Sequence, residues 1–192
     1  MDAQITSSVI GGVVGAIAGG IVPYMIYLST EKKKKKEKQL EYLHILEKEI
    51  EDLSYKSNNL KFNLQKQDNE KYSDEIIAAL ENIRTFMTKD LYEIQHTIPH
   101  YALFIDSETL YKSTTFLKNI KIQASEGQNK ISELRTKGKN QTTTPQERAI
   151  QHVKQLITDL EFIEKECDVL KGILVDKVNH YYESYQKKYI KV

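Results

Sequence analysis

His96 and His100 stand four residues apart, and Glu93 precedes His96 by three. Residues three and four apart share one face of a helix. A Glu-x-x-His pair turned into a helical bundle is one way such folds hold iron or manganese. Glu41 and His44 repeat the spacing, whereas His180 has Lys177 at the equivalent place. Pro99 falls between His96 and His100, and a proline is expected to break the helix there. Cys167 is the single cysteine, which excludes an internal disulfide. It falls on an apolar seam described below, so a packed core thiol is expected. The chain has no Walker loop, Rossmann fingerprint, nucleophile elbow or HExxH zinc motif. Catalytic, cofactor and metal residues are therefore all assigned as none, and the expected function is non-enzymatic.

The residue types with an evident use are lysine and glycine. Lys32, Lys33, Lys34, Lys35, Lys36 and Lys38 fill six of the eight positions 31–38. Lys187, Lys188 and Lys191 lie near the end of the sequence among Tyr181, Tyr182, Tyr185 and Tyr189. Lysines beside a bilayer attract anionic lipid at about 1 kcal/mol each. Interfacial tyrosines suit the headgroup zone. Both clusters are expected to contact anionic lipid. Nucleic-acid binding needs basic residues spread over a face with aromatic or polar readers, and this run lacks that spread. Net charge is only +1 over 192 residues, yet 31–38 carry +4 and 181–192 carry +2. The middle, 39–180, is mildly acidic at −4.

What would hold these lysines at a membrane is the stretch before them. From Ala3 to Thr30 no residue is charged, and Val9 to Leu28 are nearly all apolar or glycine. A hydrocarbon core of about 30 Å takes about 20 helical residues. A transmembrane helix is expected over 5–30, after a short external tail 1–4. Residues 31–38 form the polybasic juxtamembrane segment and 39–192 a cytoplasmic helical bundle. The lysines set the orientation, because basic residues stay on the cytoplasmic side.

Gly11, Gly15 and Gly19 repeat every four residues, and so do Gly12, Ala16 and Gly20. On a helix these rows lie side by side as a smooth strip. Close van der Waals approach along small residues drives association in lipid. The doubled row is similar in pattern, over ten residues, to the glycine zippers of some channel and toxin segments. Self-association into a homo-oligomer is expected.

The body reads as helices. Leu43, Leu46, Ile50, Leu53, Ser57, Leu60 and Leu64 alternate by three and four, an a/d seam with one polar member. That first helix is expected over 31–66. Ile76, Leu80, Ile83, Met87, Leu91, Ile94 and Ile98 mark a second over 74–98, ended by Pro99. "HYALFI" is then expected as an apolar connector tucked under the bundle. A third helix, 107–135, carries Leu110, Phe116, Leu117, Ile120, Ile131 and Leu134, with "GQN" at 127–129 expected to weaken it. "TKGKNQTTTP" is a loop. Thr144, Pro145 and Glu147 form a capping box with proline at its favoured place. The fourth helix, 145–190, follows with Ala149, Val153, Leu156, Leu160, Ile163, Cys167, Leu170 and Leu174 spaced 4,3,4,3,4,3,4.

The expected class is all-α, an antiparallel bundle or coiled coil of about four helices behind one transmembrane helix. At ~1.5 Å per residue the fourth helix ends within about 9 Å of the level where the first begins. The expected function is a single-pass cell-membrane protein that self-associates through its glycine strip. Its bundle would dock a cytoplasmic protein partner. The competing reading is a membrane-permeabilising effector of a microbial toxin or antiviral system.

Overall fold

The computed structural model describes residues 22–66, 74–135 and 145–189, and every one of them except Asp106 is helical. α1 is Val22–Lys66 and α2 is Asp74–Thr85. α2 continues without a break through a π-helical turn, Phe86–Asp90, into α3, Leu91–Ile105. α4 is Ser107–Arg135 and α5 is Pro145–Tyr189. The chain is thus an all-α protein of four rods among the described residues. Contacts divide it into two compact units: residues up to Glu41 with those from Tyr181 on, and Tyr42–His180.

In the second unit the periodic residues face inward, as their spacing demands. On α1, Leu43, Leu46, Ile50, Leu53 and Leu64 are buried and Leu60 is half-buried. All seven positions assigned to the second helix are buried, and so are Val153, Leu156, Leu160, Ile163, Cys167, Leu170 and Leu174 on α5. On α4, Phe116, Leu117, Ile120 and Ile131 are buried and Leu110 is half-buried. Ala149, Leu134, Thr144 and the loop 136–144 lie outside what the structure describes of side chains.

Neighbouring rods run antiparallel. Ser57 donates to the Leu160 carbonyl (3.0 Å), and Lys171 reaches Glu51 (2.7 Å), tying α1 to α5. The ring of Tyr42 meets Tyr101 and Phe104 (5.5 and 5.4 Å), tying α1 to α3. Asn119 donates to Glu166 (2.9 Å) and Gln123 to Asp159 (2.5 Å), tying α4 to α5.

Three expectations are corrected here. Pro99 does not end the second helix but lies inside α3. The cost of a mid-helix proline is about 3 kcal/mol, and it is met by burial of Ile98, Ala102 and Ile105 around it. Pro99 and Gln95, whose carbonyl loses its partner, both sit on a half-exposed side. "HYALFI" is consequently the last turns of α3 and not a connector, and Leu103 and Phe104 point outward. Nor does "GQN" break α4. Gly127 is buried against Met87, where an added Cβ would lie 2.6 Å from the Met87 thioether sulfur and methyl. Gln128 donates to the Met87 carbonyl in the π turn (3.1 Å). The glycine thus admits the rod that carries the wide turn.

The connector between α3 and α4 is one residue. Asp106 is extended (φ −164, ψ 167), and its carboxylate accepts the Thr109 N–H at 2.7 Å while its carbonyl accepts the Leu110 N–H at 3.1 Å. This is an N-cap. Lys177 on α5 clasps the same carboxylate at 3.0 and 2.8 Å, and Glu108 at 2.9 Å. Burial raises the Asp106 pKa, but the Lys177 ammonium and the Thr109 N–H outweigh it and hold the carboxyl below 3.8. Burial likewise lowers Lys177, and its two carboxylate partners reverse that, raising it above 10.5.

Asp106→Asn keeps a competent cap but loses the charge pair, so it isolates the clasp. The carboxyl titrates lower in the folded state, so its contribution is present above the unfolded pKa and fades as pH falls through the folded one. The raised lysine contributes below its unfolded value and fades as pH rises beyond it. Urea unfolding of the detergent-solubilised chain should therefore show a wild-type advantage that is flat from about pH 5 to 9 and shrinks below about pH 4. An advantage unchanged at pH 3 would contradict this assignment.

A second buried polar group allows a double-variant test. Asp159 is 2 % exposed and accepts from Lys130 at 2.8 and 2.7 Å and from Gln123 at 2.5 Å. Asp159→Ala strands a partly buried ammonium and should cost about 3 kcal/mol in the same assay. Asp159→Leu with Lys130→Met should recover most of that loss, since a well-packed apolar pair replaces a buried ion pair at little cost.

Candidate functional site

The first unit holds the described lysines together with α1 from Val22 to Glu41 and α5 from Tyr181 to Tyr189. Its N-terminal turns are apolar all round. Tyr24, Met25, Ile26 and Tyr27 are each 60 % exposed or more, and Leu28 is 37 % exposed. Five successive helical residues span more than one full turn, so no side of this segment is polar. Uncovered apolar surface of this kind marks a contact with something other than water.

Directly after it come the lysines. Lys33 lies 4.0 Å from Glu37 and Lys34 3.8 Å from Glu31 on the same helix, and Lys187 lies 3.8 Å from Glu183. These exposed pairs hold their charges loosely. Lys32, Lys35, Lys38 and Lys188 have no carboxylate partner among the described residues. Counting 31–38 and 181–189 together, eight lysines face three glutamates, a net +5.

Two hydrogen bonds fix how the helices pair. Lys36 donates to the Ser184 hydroxyl at 2.7 Å, and the Tyr185 hydroxyl donates to Glu37 at 2.6 Å. Glu37 raises the Tyr185 pKa, chiefly through that bond. The Tyr185 and Tyr189 rings meet at a tilt, centroids 5.2 Å apart, and the Lys188 ammonium lies 5.7 Å from the Tyr189 ring centre. The structure thus brings Lys187 and Lys188 alongside Lys32–Lys36. Of the residues that make the joint, Ser184 and Glu37 were not singled out from sequence, and Tyr185 was read only as an interfacial aromatic. Counting each seam onward in steps of three and four reaches Ser184 and Lys36, and that was the available signal.

The remaining candidate residues are placed as follows. Lys191 and the strip Gly11, Gly12, Gly15, Ala16, Gly19 and Gly20 lie outside the described residues. Among the described residues no helix is long and apolar enough to cross a membrane. Residues 5–21 of the expected span fall outside that description, so the fold gives the crossing no support of its own. His96 and His100 do share α3, contrary to the expected break, and each contacts rings: Tyr92 at 5.0 Å for His96, and Phe104 at 5.3 Å for His100. Among the described residues no group of three or more His, Cys, Asp or Glu is placed to hold a metal.

The second unit also has a concave feature. A cleft of about 530 Å³ opens between α1 and α3, with Leu53 and Ile94 as its floor and Glu49, Asp52, Asp90 and Glu93 around it. Lys56 bonds Asp90 across it at 3.3 Å. The Asp90 that ends the π turn is therefore one of its walls.

No protein-family model matches the chain, and neither the curated proteins nor the solved structures include a significant match.

Cys167 is fully buried, and burial, then the charges of Asp168, Glu166 and Glu164, push its thiol up to about 12. A thiol so protonated is a poor nucleophile. At pH 8 the folded chain should react with a disulfide reagent such as DTNB at least ~100-fold more slowly than the chain in guanidinium. Comparable rates would show the seam to be open at this layer.

Proposed function

We propose that this chain is a non-enzymatic, single-pass membrane protein. Residues 5–30 cross the bilayer, and the helical body is held at the cytoplasmic face. The observation that carries the reading is the uncovered apolar turn Tyr24–Leu28, which runs within one helix straight into Lys32–Lys38. A helical stretch that is apolar on every side and then abruptly basic suits the boundary between hydrocarbon and headgroups. Tyr24 and Tyr27 supply the aromatic belt expected there.

Self-association follows from the strip of Gly11, Gly12, Gly15, Ala16, Gly19 and Gly20, where two rows of small residues permit backbone contact. The bundle supplies the docking platform for a cytoplasmic partner. Its cleft suits a cationic segment of that partner, because four carboxylates surround an apolar floor and a single lysine offsets them.

Two outcomes are expected of the full chain in cells. It stays with the membrane fraction after alkaline carbonate, and release into the supernatant would overturn the crossing. Bifunctional cross-linking yields oligomers from wild type and mainly monomer from Gly15→Leu/Gly19→Leu, since leucines in the strip keep the helices apart. A membrane-potential dye read on the same cells separates the two classes of function. An unchanged potential supports the scaffold, whereas depolarisation by wild type that the variant abolishes replaces it with a permeabilising effector.

A further inference from the structure

The seam that joins α1 to α5 is apolar in the second unit, and its spacing can be counted into the first. On α1, stepping back from Leu43 by four, three and four gives Gln39, Lys36 and Lys32. On α5, stepping on from Leu174 by three, four, three and four gives Lys177, Tyr181, Ser184 and Lys188. The Lys36–Ser184 bond fixes the register. In antiparallel helices that bond puts Gln39 level with Tyr181, and Lys32 level with Lys188. Burial agrees with the count: Gln39, Lys36, Tyr181 and Ser184 are half-buried, and the last layer is open to solvent.

Among the described residues the outermost layer that this count reaches is therefore Lys32 with Lys188. A coiled pair normally closes such positions with apolar side chains. Here two ammonium groups occupy them, and neither has a carboxylate partner among the described residues. Lys33, Lys35 and Lys187 lie within three residues of this layer in sequence, while the nearby carboxylates are engaged: Glu31 by Lys34, Glu37 by Lys33 and Tyr185, and Glu183 by Lys187. Like charges so placed drive the two helix ends apart.

We infer that this lysine layer takes the phosphate of anionic lipid headgroups and that doing so docks the C-terminal end of α5 onto α1. The lipid surface is favoured over a soluble anion by position. Lys32 lies four residues beyond Leu28, the last of the uncovered apolar residues. The rings of Tyr185 and Tyr189 flank the site with the amphipathic surface that headgroup zones accommodate. The inference rests on the membrane reading above. It adds a regulation: the end of α5 is ordered by lipid composition.

The test is hydrogen exchange of the 181–189 amides in the full chain, reconstituted into vesicles of phosphatidylcholine alone or with phosphatidylserine. The expected result is roughly tenfold slower exchange in the anionic vesicles, reversed by 1 M salt. Lys188→Gln should lose most of that difference. Lys32→Leu/Lys188→Leu, which installs an apolar layer, should be protected in both compositions. Wild-type exchange that ignores lipid charge, in vesicles that carry the chain on flotation, overturns the inference and leaves the membrane reading standing. A chain that does not float with vesicles overturns both. Equal protection in neutral vesicles given millimolar inorganic phosphate would show a free-phosphate site and overturn the lipid assignment.

Discussion

The antiparallel pairing of α1 with α5 is the constraint on which the rest depends. Both are 45-residue helices, and packing of an apolar face rather than propensity supplies most of a helix's stability in a folded protein. What holds them in the second unit is a seam of Leu and Ile at three-and-four spacing, all of it buried save the half-buried Leu60. Ser57 is the single polar member of the α1 seam. It is fully buried and satisfied by the Leu160 carbonyl of α5. A buried polar residue of that kind fixes register, because sliding the helices would orphan it. Register in turn decides which residues meet at the other layers of this unit.

Against that regular pair, the two shorter rods carry the irregularities. The wide turn Phe86–Asp90 and the glycine at 127 are one feature seen from two sides. Thr85 and Thr88 return their hydroxyls to the carbonyls of Glu81 and Arg84, which competes with the regular ladder. Met87 then fills the space that Gly127 leaves. The same turn delivers Asp90 to the acidic cleft. A packing solution on the inner side thus sets a charge on the outer side.

The long seams were legible because they are strictly periodic, and periodicity reports burial directly. Every apolar position assigned to α5 that the structure describes is buried. The start of α4 was legible too, because the adjacent residues Asp106 and Ser107 are both of the types that cap helices. Pro99 misled because its local cost is real but is outweighed by three buried neighbours on the same helix, which no local rule counts. The π turn had no visible signal, since Phe86–Asp90 fits the α spacing of Ile83, Met87 and Leu91. At the basic end the lysines were legible as a composition. Their mutual placement was not, because it depends on the register of two residues 148 apart in sequence.

That placement separates two kinds of stability within one pair of helices. Where the seam is leucine and isoleucine, association needs nothing but water to leave. Where the seam is Lys36, Ser184, Lys32 and Lys188, water cannot drive it, and the part-buried Lys36–Ser184 bond and the exposed Tyr185–Glu37 bond contribute little on their own. The charge that would close the last layer is not supplied by the described residues. A sequence needing only a rigid stalk would have continued its leucines. Lysine at these seam positions leaves that end of the pair without an apolar hold, whereas the apolar seam of residues 43–64 and 153–174 needs no charge to close it.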